Sequence, residues 1–212
     1  MVTVTKAPTG ASSAPSVQTS APIASAAQQA ASPASAASGA VSRAGGVLNP
    51  SAAAEANPKD TTATLAFSSA SIKTSTGQCL FIDPTAGDFR ENLIPIAVQD
   101  CTGAAGEKFD IITKGVHNNE ANSTLVVSSV TEGCLNFDDR RAAGDQVIMF
   151  SCGGRADGGG AVTDSQLFPF GGGNSIVLAP KNSNGAVCLF ANGAKLDQQA
   201  CNGGATQTFT IG

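Results

Sequence analysis

The sequence predicts an all-β domain of three pseudo-symmetric repeats, preceded by a low-complexity segment. Three observations carry that prediction. Six cysteines fall into three pairs, and each pair opens on one pattern: Cys79-Leu80-Phe81, Cys134-Leu135-Asn136 and Cys188-Leu189-Phe190. The second members, Cys101, Cys152 and Cys201, are each followed by a Phe two residues after a Glu or Gln, in Glu107-Lys108-Phe109, Gln166-Leu167-Phe168 and Gln207-Thr208-Phe209. Between these landmarks Gly and Pro punctuate short apolar runs such as Leu125-Val126-Val127 and Val147-Ile148-Met149-Phe150, with no amphipathic stretch of helical length. The opening cysteines lie 55 and 54 residues apart. That unit is too long for a leucine-rich repeat, and three units are too few for a propeller or open solenoid, so a closed threefold object is expected.

Along the chain, residues 1–64 are Ala, Ser, Thr, Pro and Gly with few large apolar side chains. Such a segment buries too little apolar surface to offset chain entropy, and is expected to be a disordered stalk or linker, of the composition seen in O-glycosylated stalks. The domain is placed at residues 65–212. From Leu65, apolar and polar residues alternate, ordered structure is expected near Phe67, and Thr76-Gly77-Gln78 makes a turn into Cys79. Strand alternation turns Leu80 and Ile82, Leu135 and Phe137, and Leu189 and Ala191 inward, and Phe81, Asn136 and Phe190 outward. Phe109, Phe168 and Phe209 become three equivalent core aromatics that meet near the pseudo-threefold axis.

Composition narrows the function. A net charge of −4 and scattered Lys and Arg leave no basic footprint for a phosphate backbone, so nucleic-acid binding is not expected. No run reaches the roughly 18 apolar residues of a membrane span. Met1 to Gly10 lacks the apolar core of a signal peptide, which points to the cytosol, whereas an even, symmetric cysteine set points to disulfides and an oxidising compartment. The cysteines weigh more, and the expected location is extracellular, secreted or in a cell wall. A chain cut from a longer secreted protein would reconcile the two. No Cys-x-x-Cys occurs and His117 is the sole histidine, so neither metal nor cofactor is expected. Six cysteines permit many connectivities, of which repeat symmetry favours 79 with 101, 134 with 152 and 188 with 201.

Three copies of a Cys-Leu strand, a second Cys and a Gln-x-aromatic strand resemble the ricin B-type lectin family, whose repeats end in Gln-x-Trp. Over about Phe67 to Gly212 the resemblance implies a β-trefoil, the intra-repeat disulfides and a non-catalytic, carbohydrate-binding role. In family members that bind galactose-like sugars, a working repeat uses an Asp two residues after the first Cys, a Gln four before the second and an aromatic two before it, often with an Asn ahead of the Gln-x-Trp motif. Repeat one has Phe81, Ala97 and Gln99 there, then Gly106 and Glu107, so that pocket is expected to be lost. Repeat three offers Phe190, Asp197 and Gln199, then Thr206 and Gln207, without the acid or the aromatic. Repeat two keeps most, with Asn136, Ile148 and Phe150, then Ser165 and Gln166. A glycan ligand is therefore expected at Asn136, Asp138, Phe150 and Gln166.

The chemistry of sugar recognition supports that choice: an amide or carboxylate accepts from vicinal hydroxyls while an aromatic face takes the ring's C–H patch. The chain has no Trp or Tyr, so Phe alone can stack. Asp83, Asp138 and Asn192, each four residues after the first Cys of a repeat, either replace the missing acid by a shift of two along the strand or cap strand turns. Asp138-Asp139-Arg140-Arg141 reads as a charged rim or as a solvated turn with local ion pairs. The glycine-rich run Gly153–Gly160 lacks the Lys-Ser/Thr of a phosphate loop and reads as a long, mobile insertion beside the repeat-two pocket. His117 reads as a loop histidine without a catalytic role. Asn122-Ser123-Thr124 is a glycosylation sequon. The rival readings are a trefoil that has lost sugar binding and works through protein contacts, with Phe81 and Phe190 as anchors, and an accessory domain separated from a catalytic one.

Overall fold

A computed structural model describes residues 1–3 and 46–212. Fourteen strands among the described residues build a β-trefoil, four strands to a repeat with the first strand of repeat one and one strand of its hairpin each broken in two. Repeat one comprises β1 (Thr64–Ala70), β2 (Ile72–Lys73), β3 (Cys79–Phe81), β4 (Ile94–Pro95), β5 (Ala97–Gln99) and β6 (Phe109–Lys114). Repeat two runs through β7 (Ser123–Ser128), β8 (Cys134–Phe137), β9 (Val147–Phe150) and β10 (Phe168–Pro169). Repeat three follows with β11 (Ser175–Val177), β12 (Val187–Asn192), β13 (Lys195–Ala200) and β14 (Thr208–Ile211).

Pairing follows one rule three times. The first strand of each repeat pairs antiparallel with its own last strand, as β1 with β6, β7 with β10 and β11 with β14. In repeats one and two it also pairs with the last strand of the preceding repeat, β7 with β6 and β2 with β14. In repeat one this strand is bent at Ser69, which sits at φ 49° in a run of register shifts. The Ser69 N–H, lost to the ladder by the bulge, donates to Asp110 Oδ1 at 2.7 Å.

The hairpin of each repeat sets its disulfide. Cys79 faces Gln99, Cys134 faces Phe150 and Cys188 faces Gln199, so the second cysteine always lies two residues past the first one's cross-strand partner. All three intra-repeat bridges form, with Cα separations of 5.0, 5.0 and 4.8 Å.

The core is the one the alternation implies. Leu80, Ile82, Leu135, Phe137 and Leu189 are buried, and Phe109, Phe168 and Phe209 lie fully buried in the same cluster. Ala191 packs on the cluster from its half-buried edge, Phe81 and Phe190 are half-buried rather than free, and Asn136, on the outer face, is nonetheless buried.

The N-terminal boundary moves. Of the expected stalk, residues 4–45 lie outside the described residues, but α1 (Pro50–Ala56) is ordered and the strands begin at Thr64 rather than near Phe67. The local signals are explicit. Asn49 caps the helix by accepting from the Ala52 N–H at 3.1 Å, Pro50 occupies the first turn, and Asn57 followed by Pro58 ends it. Ala53 and Ala56 form a buried face of minimal size, and Asn57 Nδ2 donates to the Arg90 carbonyl at 2.9 Å, so this alanine-rich turn docks through shape and hydrogen bonds where large apolar side chains are lacking.

Among the described residues no helix is long and apolar enough to cross a membrane.

Candidate functional site

Register explains why the family's pocket positions work together. Residues two after the first cysteine and four before the second are cross-strand neighbours in every repeat: Phe81 with Ala97, Asn136 with Ile148, and Phe190 with Asp197. Their side chains leave the same face of the hairpin, about 5 Å apart. In repeat one the Phe81 ring lies over Gly106, where an added Cβ would come within 2.7 Å of it, so an apolar contact fills the position. In repeat three Asp197 turns inward to its own hairpin, accepting from the Gln198 N–H, Asn192 Nδ2 and Lys195 Nζ.

Repeat two has a cavity of about 480 Å³ at this place. Asn136, Asp138, Phe150 and Ser165 line it. Asn136 Oδ1 accepts from Ser165 Oγ at 2.9 Å, and Ser165 Oγ lies 3.0 Å from Thr163 Oγ1. The amide nitrogen of Asn136 has no partner among the described residues, which leaves it as a donor toward the cavity. Asp138 accepts a fork from Arg140, Nε to Oδ1 at 2.7 Å and Nη2 to Oδ2 at 3.0 Å. Those bonds hold its carboxyl below the usual carboxylate range. Arg141 is likewise paired, with Asp145. The charged rim and the ion-paired turn are thus one structure, since Asp138, Arg140 and Arg141 pair locally while lining the cavity.

Gln166 is not part of the opening, which corrects its assignment as a ligand contact. It is fully buried, its Oε1 accepts from the Gly153 N–H at 2.8 Å and its Nε2 donates to the Ser151 carbonyl at 3.0 Å. Gln207 repeats the pattern, accepting from the Asn202 N–H and donating to the Ala200 carbonyl. The motif glutamine therefore clamps the chain on either side of the second cysteine, a structural role independent of any ligand.

Repeat one departs by a single atom type. Glu107, also buried, accepts from the Thr102 N–H at 2.9 Å, and from Thr102 Oγ1, Gln99 Nε2 and the Gly103 N–H. Led by the Thr102 N–H, these donors pull its carboxyl down to about 2 against the cost of burial. A depressed value stabilises the fold above the ordinary carboxylate range and ceases to do so as pH falls toward 2. Glu107→Gln, which restores the clamp of the other repeats, is expected to flatten the fall of Tm between about pH 5 and about pH 2. Parallel thermal melts across that range check it, and identical acid limbs for the two proteins would refute the assignment.

Side chains from outside repeat two complete the rim. Leu93 comes from repeat one and Asn182 from repeat three. Asn182 Nδ2 donates to the Phe137 carbonyl at 3.1 Å. Leu93 stands at φ 63°, a conformation that side-chain-bearing residues rarely adopt, and the strain is stabilised next door, where fully buried Asn92 accepts from the Ser151 N–H and Oγ. No signal within a single repeat marks these two residues. The glycine run is an anchored loop rather than a free insertion: Gly153 is bound by Gln166, Ala156 O accepts from Asn92 Nδ2 at 3.2 Å, and Gly160 passes so near Gly153 that a Cβ there would lie 2.1 Å from its carbonyl oxygen. Arg155 and Asp157 pair with each other at 2.7 Å outside the cavity.

Of the polar triplet, Asp83 accepts from the Thr85 N–H and Oγ1 and caps a short 3₁₀ turn, and Asn192 bonds Asp197, leaving Asp138 alone at a cavity. Asn122 is exposed at φ 56° before β7. His117 lies in the turn between Gly115 and Asn118, and its side chain is buried.

No protein-family model and no curated protein matches the sequence. Solved structures of similar fold include the following three. A designed three-fold symmetric protein, ThreeFoil, shares 15% identity over 67% of this chain and 96% of its own, with a TM-score of 0.49. The exo-beta-1,3-galactanase 1,3Gal43A of Clostridium thermocellum shares 14% over 68% of this chain, TM-score 0.49, and the match spans 30% of the galactanase. The BEL beta-trefoil in its apo form shares 12% over 73% of this chain and 97% of its own, TM-score 0.48.

Proposed function

We propose that this protein is a non-catalytic carbohydrate-binding module of the ricin B-type lectin kind, acting outside the cell. The observation that carries the reading is the repeat-two cavity, which sits where the family's pocket would sit and combines an amide donor from Asn136, the Asp138 carboxylate and the Phe150 ring. A pyranose needs such a set, hydroxyl partners on one side and an apolar face on the other. Asp138, ionised and forked to Arg140, serves as a charged acceptor and is poorly suited to donate a proton, which favours binding over hydrolysis. Three disulfides support an oxidising compartment, where exposed Asn122 would be available for glycosylation.

Glycan-array and insoluble-polysaccharide binding by the full oxidised chain tests the reading. Asn136→Ala and Phe150→Ala are each expected to weaken binding about tenfold, about 1.4 kcal/mol, whereas Gln199→Ala at the equivalent place in repeat three leaves it unchanged. Loss in all three variants, or in none, would remove repeat two as the site. No glycan binding at all would turn the search to protein partners.

A further inference from the structure

A second cavity, of about 210 Å³, lies on the outer face of the sheet between β1, β6 and β7, away from the repeat-two pocket. Its floor is Ile112, Leu125 and Val127, which with Cys134, Cys152 and Leu167 form an apolar cluster separate from the trefoil core. Ala63 and Leu65 form its walls. The mouth is polar and on balance acidic, lined by Asp60, Asp110 and Glu132 together with Lys59. Lys59 is taken by Glu132 at 2.6 Å, whereas Asp60 and Asp110 make no ion pair among the described residues and accept only from neutral groups, Thr62 and the Val116 N–H for Asp60 and the Ser69 N–H for Asp110.

His117 lines the same cavity with only 8% of its surface exposed, and its Nδ1 is buried without a hydrogen-bond partner. A buried polar atom left unpaired is destabilising, so it asks for an explanation. The imidazole is not there by slack. Its turn is closed by the Gly115–Asn118 bridge and latched by the Val116 N–H to Asp60 Oδ2 at 2.7 Å, and Gly115 approaches Asp60 so closely that a Cβ would lie 2.2 Å from that oxygen. The same carboxylate that fixes the histidine also faces the opening.

We propose that this cavity binds a small organic cation, one apolar ring carrying a primary ammonium group. The volume exceeds the roughly 150 Å³ that admits benzene and falls below the roughly 300 Å³ of drug-sized pockets, so a single ring fits over the floor. An ammonium carries three donors and no acceptor, which matches the carboxylates at the mouth. A carboxylate ligand would meet repulsion at Asp60 and Asp110, and an alcohol would leave their charge unpaired.

The sole histidine of the chain supplies a reporter, because its imidazole proton resonances belong to one residue. Benzylamine titrated into the full oxidised protein in mildly alkaline buffer is expected to shift them saturably, with a Kd of about 1 mM. Benzyl alcohol and phenylacetate are expected to bind at least about tenfold more weakly. His117→Phe, read by saturation transfer to benzylamine, is expected to lose most of the signal. Ala63→Leu, which fills the wall and keeps the reporter, is expected to abolish the shift. A linear, unsaturable shift, equal binding of phenylacetate or of benzyl alcohol, or benzylamine binding unchanged in the folded variants would each overturn the proposal.

Discussion

Full reduction of the protein is expected to unfold it near room temperature. Its three bridges close loops of 22, 18 and 13 residues. By chain-entropy arithmetic each stabilises the fold by about 3 kcal/mol, about 9 in all, against a total of about 5–15 for a domain of this kind. At roughly 2–4 °C per kcal/mol, Tm is expected to fall by about 20 °C or more. The bridges also differ in access. Cys101 is exposed and Cys201 half-buried, whereas Cys134 and Cys152 are both buried in the second apolar cluster. Graded reductant is therefore expected to open Cys79–Cys101 first and Cys134–Cys152 last. Alkylation mapping and melts at each step test both statements, and a reduced protein within about 5 °C of the oxidised one would contradict the first.

Much of this architecture was legible because a threefold repeat states each rule three times. The Cys-Leu strands and the Gln-x-Phe strands marked the hairpins and the core aromatics, and a hairpin whose register sets Cys134 opposite Phe150 makes the intra-repeat bridge follow. The candidate site was legible only where it obeys the repeat. Asn136 and Phe150 could be placed through the resemblance to the lectin family and Asp138 through the repeat, whereas Leu93 and Asn182 reach the rim by the folding of other repeats, and no local pattern encodes that. Gln166 shows the opposite error: a motif position read as a ligand contact is a backbone clamp, and Glu107 in repeat one keeps only the half of that clamp beyond the second cysteine while changing the charge. Composition hid α1. Its alanines look like low complexity, yet Asn49-Pro50 and Asn57-Pro58 are a start and a stop, and those two dipeptides outweigh the average around them.

Replacing any one of the three motif phenylalanines with alanine is expected to cost about 3–5 kcal/mol, which makes each a more damaging change than any in the two cavities. Phe109, Phe168 and Phe209 are all essentially inaccessible, but their strands are not equivalent. Phe109 begins a six-residue strand and Phe209 lies in a four-residue one, while Phe168 lies in a strand of two that ends at Pro169. The cost of a large-to-small change depends on how far the surroundings collapse into the void, and the shortest strand yields most readily. Phe168→Ala should therefore be the mildest in denaturant melts and Phe109→Ala among the most severe; the reverse order would show that backbone length does not govern relaxation here. The proposed glycan binding couples to the same residue. Phe168 follows Ser165 and Gln166, which fix Asn136 and Gly153, so the collapse that spares stability in Phe168→Ala is expected to distort the repeat-two cavity. Of the three variants, that one should lose glycan binding while still folded, and Phe209→Ala, in the other sheet, should keep it.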